Sequence, residues 1–72
     1  MTPEDLRAWR AAMGFRSQAQ AAEALGYSVA RYKDFERGKS ANGEKVIETL
    51  PRTLALACSA LYHRLEPWSG GG

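Results

Sequence analysis

The side chains able to hold a metal or act as nucleophiles are few in this chain. There is one cysteine, Cys58, and one histidine, His63. A structural zinc site takes four such ligands, so no metal or cofactor site is expected. Cys58 falls on an apolar stripe and reads as a core thiol. His63 lies near a helix end and reads as a surface side chain. Gly38-Lys39-Ser40 imitates the end of a phosphate-binding loop, but that motif needs glycine five places earlier, where Lys33 stands. It also needs a preceding strand, and this stretch follows a helical pattern. Nothing else suggests catalysis, and an enzyme is not expected. The remaining chemistry is electrostatic. Arg31, Lys33, Arg37 and Lys39 fall within nine residues, interrupted by Asp34 and Glu36. Cations at that density suit phosphate oxygens and the acceptor edges of bases.

Those cations need a rigid support, and local signals supply one. Thr2-Pro3-Glu4 is a helix start: a hydroxyl cap, proline at the first helical position, an acid in the first turn. Leu6, Trp9 and Met13 follow at helical spacing, and Gly14 stops the run. This predicts a first helix over 3–13. Ser17 caps a second helix that runs to Leu25 and stops at Gly26; its alanines 19, 21, 22 and 24 let a neighbour approach closely. Ser28 caps a third helix that ends at Arg37, before Gly38. Its Val29, Tyr32 and Phe35 recur at i, i+3, i+6, so one face is apolar. Only Gly26 and Tyr27 separate the second helix from the Ser28 cap, which forces a sharp corner.

Residues 38–50 admit two readings. Asn42-Gly43 is a tight-turn signal, and Val46, Ile47 and Thr49 are β-branched, which favours a short wing or hairpin. The other reading is a helical segment over 44–50. Pro51 opens a last helix, with Leu54, Cys58, Leu61 and Leu65 as an apolar stripe ending near Leu65. The whole predicts one all-α domain over 1–68, of four to five helices, with a disordered glycine-rich tail at 69–72.

Composition bounds the partners. The chain has 72 residues, with ten Lys and Arg against eight Asp and Glu, a net charge of +2. That length allows a single small domain. No run approaches the ~20 apolar residues of a membrane span. A lone cysteine forms no internal disulfide, and the charged N-terminal stretch has no apolar leader run, so a cytoplasmic location and no membrane partner are expected. A domain this small buries only ~60% of its unfolded surface and benefits from a partner.

Residues 4–39 resemble the Cro/C1-type (XRE-family) helix-turn-helix repressors. The matching elements are Ser17-Gln18 at the start of the second helix, Ala22 three before Leu25, and Gly26 at the turn. Ser28 as cap, Tyr32, Phe35-Glu36, Gly38, and Arg10 in the first helix complete the pattern; residues 50–61 match more loosely. Two departures stand out: Arg16 is an extra residue between the first helices, and 39–49 is longer than the usual link.

The resemblance implies a lambda-repressor-like fold and sequence-specific binding of double-stranded DNA. Gln18 matches a position that contacts the DNA backbone and braces the third helix. Val29, Ala30 and Asp34 match positions facing base edges, flanked by Arg31 and Lys33. Ser28 places helix-end amides against phosphate. Arg31 or Lys33 would meet guanine, Asp34 cytosine, and Val29 and Ala30 thymine methyls. Arg37 and Lys39 would contact phosphates. Arg10 and Glu36 match an ion pair joining the first helix to the end of the third. The competing reading of Lys33, Arg37 and Lys39 is a solvated basic face. For Asp34 it is a pair with Arg31 or Lys33.

A charge of only +2 neutralises few phosphates, so a homodimer on a palindromic operator is expected. Candidate interface residues are Leu56, Leu61, Tyr62, Leu65 and Trp68, although Trp68 folded back on its own domain is the rival reading. The expected role is a repressor that occupies and autoregulates its own operon. The alternative is an antitoxin-type module that neutralises a partner protein as well as binding DNA. Small repressors of this kind serve phage or mobile-element switches, anti-CRISPR operons and toxin–antitoxin operons, and the residues do not choose among these.

Overall fold

In the computed structural model, which describes residues 1–39, 46–47 and 49–69, the chain is an all-α domain. Four helices follow in order: α1 Pro3–Met13, α2 Gln18–Leu25, α3 Val29–Arg37 and α4 Arg52–Tyr62. The first three have the bounds that capping chemistry predicts. Thr2 and Asp5 form a reciprocal capping box: the Thr2 hydroxyl accepts from the Asp5 amide at 3.2 Å, and the Asp5 carboxylate accepts from the Thr2 amide at 2.9 Å. Those bonds hold the Asp5 carboxyl below its ordinary pKa. Ser17 and Ser28 cap α2 and α3 through the amides of Gln20 and Arg31, at 3.1 and 3.2 Å.

The corner between α2 and α3 depends on Gly26, whose φ of 81° lies in the left-handed region. There the chain reverses within one residue, and the Tyr27 amide returns to the Ala22 carbonyl at 3.0 Å. Ala21 and Ala22 are fully buried at this junction, and α3 packs against both α1 and α2. The core gathers Leu6 and Trp9 from α1, Tyr32 and Phe35 from α3, Leu50, and Leu54 and Cys58 from α4. The Trp9 indole N–H donates to the Cys58 carbonyl at 2.9 Å, which ties α1 to α4 inside that core.

One expectation changes and one alternative closes. The last helix does not reach Leu65. Pro51 precedes it as its cap, and it ends at Tyr62. Arg64 takes a left-handed φ of 57°, and the Leu65 amide turns back to the Ala60 carbonyl at 2.8 Å. This turn satisfies the last carbonyls but carries Leu65 off the apolar stripe. Over 38–50, the helical reading fails where the chain is described. Lys39 and Val46 form an isolated antiparallel bridge, and the Ile47 amide donates to the Gly38 carbonyl at 2.7 Å. The Asn42-Gly43 turn expected at the tip of a hairpin lies outside the described residues, as do Gly70 to Gly72 of the expected tail. No helix described is long and apolar enough to cross a membrane.

Candidate nucleic-acid interface

The inner face of α3 is fixed before its outer face is considered. Tyr32 and Phe35 are buried, and Phe35 meets Tyr27 edge-on with ring centroids 5.4 Å apart. Glu36, in the last turn, is only 3% exposed. Its carboxylate accepts from Arg10 Nε at 2.6 Å, from Arg10 Nη2 at 3.2 Å and from Gln18 Nε2 at 3.2 Å. Its backbone carbonyl accepts from the Arg7 guanidinium. Three side chains from α1 and α2 therefore meet on one turn of α3.

Burial alone would raise the Glu36 pKa, but hydrogen bonds from Arg10 and Gln18, the nearby Tyr32 hydroxyl and the charge of Arg10 outweigh it and hold the carboxyl below its ordinary value. The Glu36 carboxylate in turn raises the pKa of Arg10. The Tyr32 hydroxyl is buried beside this pair without completing a hydrogen bond of normal geometry. Burial first, then the nearby Glu36 carboxylate, push its pKa up.

With that face locked, the opposite one is presented to solvent. Ser28, Val29, Ala30, Arg31, Lys33, Arg37 and Lys39 are all exposed, and Asp34 and Gln18 are half-buried. Among the described residues Arg31, Lys33 and Lys39 have no carboxylate partner, while Arg37 pairs with Asp34. Asp34 was expected either to read a base or to pair with Arg31 or Lys33. The structure assigns it to Arg37 instead. Lys33 is its immediate neighbour in sequence and does not face it along a helix. The Arg31 guanidinium lies over the Phe35 ring, 5.5 Å from its centroid. At i+3, Arg37 is the cation left to close the pair.

The surface therefore carries three cations and one screened carboxylate along a helix about 13 Å long, with Lys39 two residues beyond its end. It is uncovered at its N-terminal end, where the Ser28 cap leaves the first amides of α3. With its side chains such a helix is about 10–12 Å across, which matches a major groove about 12 Å wide.

Arg10, Glu36 and Gln18 stand together as the resemblance implied. The contribution of Arg7 was not expected from sequence. The available signal was its position three before Arg10, which puts both guanidiniums on one side of α1.

The expected interface residues divide. Leu56, Tyr62, Leu65 and Trp68 are exposed, whereas Leu61 packs against the core as a half-buried side chain. Trp68 is 92% exposed, so it does not fold back onto its own domain. Among the described residues no three His, Cys, Asp or Glu side chains gather as a metal would require. No family model matches the chain, and no curated protein or solved structure matches it either.

Proposed function

We propose that this protein binds double-stranded DNA by seating α3 in the major groove, as a homodimer on a palindromic operator, and represses transcription of its own operon by occupying that site. One observation carries the reading. A short helix has its inner face locked by Arg7, Arg10 and Gln18 through Glu36, while its outer face leaves Arg31, Lys33 and Lys39 without carboxylate partners among the described residues. A solvated basic face needs no such support. A reading head does, because base contacts are lost when a helix shifts by an ångström. In this role Lys39 and the α3 N-terminus meet phosphates, Gln18 braces α3 beside the backbone, and Val29, Ala30 and Lys33 face base edges. Two copies present two such helices to half-sites ~34–36 Å apart.

Footprinting on the DNA upstream of the gene tests this. Protection over two symmetric half-sites one helical turn apart is the expected result. Equal affinity for every duplex would overturn sequence-specific reading.

A second reading rests on Trp68. An indole this exposed fits an antitoxin-type surface that neutralises a partner protein while α3 binds DNA. A partner-free chain that stays monomeric, with Tyr62, Leu65 and Trp68 open to solvent, favours that reading. A stable dimer that buries them favours the plain repressor.

A further inference from the structure

Two features of the surface have no counterpart within one chain. The first is an open groove of about 450 Å³ between the end of α1 and α2, lined by Met13, Gly14, Phe15, Gln20, Glu23 and Ala24. Its floor is apolar. Its polar edge is the exposed Glu23 together with Gln20, whose side-chain oxygen already accepts from the Arg16 amide at 2.8 Å. The second is the arm 65–69. Trp68 is the most exposed of the large apolar side chains described, and its indole carries one hydrogen-bond donor.

The arm is stiff. The left-handed turn at Arg64 and the bond from the Leu65 amide to the Ala60 carbonyl fix its root. Pro67 restricts its own φ and keeps Glu66 extended. From Leu65 the arm reaches about 10 Å to Trp68, which stands 92% exposed and therefore outside its own groove.

We infer that Trp68 of each protomer seats in the Met13–Phe15–Ala24 groove of a second copy, its indole N–H directed to Glu23, so that two arms are exchanged across a twofold axis. The inference rests on the homodimer reading and specifies how the dimer is built. The occupant follows from fit. The groove offers an apolar floor with an acceptor at its edge, and Trp68 is an apolar plate with one donor. The area agrees as well. An indole covers about 150–250 Å². Leu56, Tyr62 and Leu65 are each more than half exposed. Covering these α4 and arm side chains in the same contact would bring the buried area toward the ~800 Å² per partner of a stable interface. Two reciprocal contacts close on themselves, so the assembly stops at two copies.

The test uses the full chain without DNA, by sedimentation velocity and acrylamide quenching of tryptophan fluorescence. Raising the concentration should convert monomer to dimer while Trp68 becomes protected and the buried Trp9 does not change. Trp68→Ala removes the arm. Ala24→Arg blocks the groove at an exposed helical position where arginine is well tolerated. Each should weaken dimerisation by about 100-fold or more. Mixing the two should restore association in part, because one intact arm then meets one intact groove. Three results would each overturn the inference: a wild-type chain that stays monomeric, an Ala24→Arg variant that dimerises as tightly as wild type, and a Trp68 protected equally at all concentrations, which places it in its own groove. Binding of a single half-site is measured separately on the same variants, so failure of the arm exchange and failure of DNA binding remain distinguishable.

Discussion

Glu36 makes its side-chain contacts with residues that precede it in the chain, and of these only Arg10 supplies a charge to its carboxylate. Arg10→Ala strands that carboxylate at a site 3% exposed. Loss of one partner from a fully buried pair costs about 3–5 kcal/mol. Arg10 itself is a quarter exposed, so the expected loss is smaller, about 2–3 kcal/mol in a urea titration at pH 7. The same carboxylate gives the fold an acid limit. Its pKa is held below the ordinary value in the folded state. Its stabilisation is therefore complete above the unfolded value, about 4.3, and fades as pH falls through the lower folded value. The urea midpoint should stay level from pH 7 to about 5 and then drop, and Glu36→Gln should flatten that drop while lowering stability throughout. A midpoint in Glu36→Gln that falls as steeply as in wild type would assign the acid limit to other carboxylates. On the outer face, Arg31 rests on Phe35 and must leave that ring, a loss of about 0.5–1 kcal/mol, before it can reach a base. Lys33 has no such tie. Lys33→Ala should therefore relax preference at one base pair by about 1–3 kcal/mol, and Arg31→Ala by less, in competition binding against single-base operator variants. The reverse ranking would show that Arg31 swings out on binding.

At the scale of elements, α3 is a nine-residue helix, too short to persist alone, and its ends determine whether it exists at all. Its C-terminal stop is Gly38, at φ 74°, where an added Cβ would lie 3.2 Å from Pro3 Cγ at the start of α1. Gly38→Ala meets two penalties together, the left-handed backbone and the contact with Pro3. About 1–2 kcal/mol is expected from the backbone alone. The cost should appear both as a lower melting temperature and as weaker DNA binding, since the last turn of α3 carries Arg37 and leads into Lys39. A variant that melts as wild type would show that 38–39 can rearrange without loss. These ends were legible in the sequence because a cap is a local signal: a hydroxyl three residues before an amide, a glycine where the chain must turn left-handed. The end of α4 was not, because its left-handed residue is Arg64 and the apolar spacing runs on to Leu65 past the turn. The Arg10–Glu36 pair spans 26 residues and became visible only through the resemblance of the surrounding pattern. The bond from Trp9 to the Cys58 carbonyl had no sequence signal, and for Arg7 the signal went no further than its place on the Arg10 side of α1, since a backbone acceptor is identical at every position. Asp34 was legible as a residue in need of a partner, but the choice of Arg37 depended on Phe35 holding Arg31.

For the whole molecule the charge is small and its placement is what matters. The net value is +2, yet four of the ten Lys and Arg side chains lie between Arg31 and Lys39. One of their two intervening carboxylates, Glu36, is neutralised internally by Arg10, and the other, Asp34, is screened by Arg37. A chain close to neutral overall thus presents a basic face, which under the proposed function would orient it on DNA without the tight non-specific binding of a strongly basic protein. Affinity should then depend on salt through the few phosphates that face meets, with log K falling against log salt by about 0.9 per phosphate neutralised. Lys39 stands at the edge of α3, beyond the positions facing bases, so Lys39→Ala should weaken binding to every duplex alike. In a dimer on a full operator the change is made twice, and the slope should shrink by nearly two. On an isolated half-site bound by one copy it should shrink by about one. Measuring both slopes by fluorescence anisotropy between 50 and 300 mM salt, on the order of the range over which such slopes stay linear, counts phosphate contacts and copies in the same experiment. Equal changes on full and half sites would mean that one copy binds at a time, and a change confined to one operator base would place Lys39 at a base edge instead of the backbone.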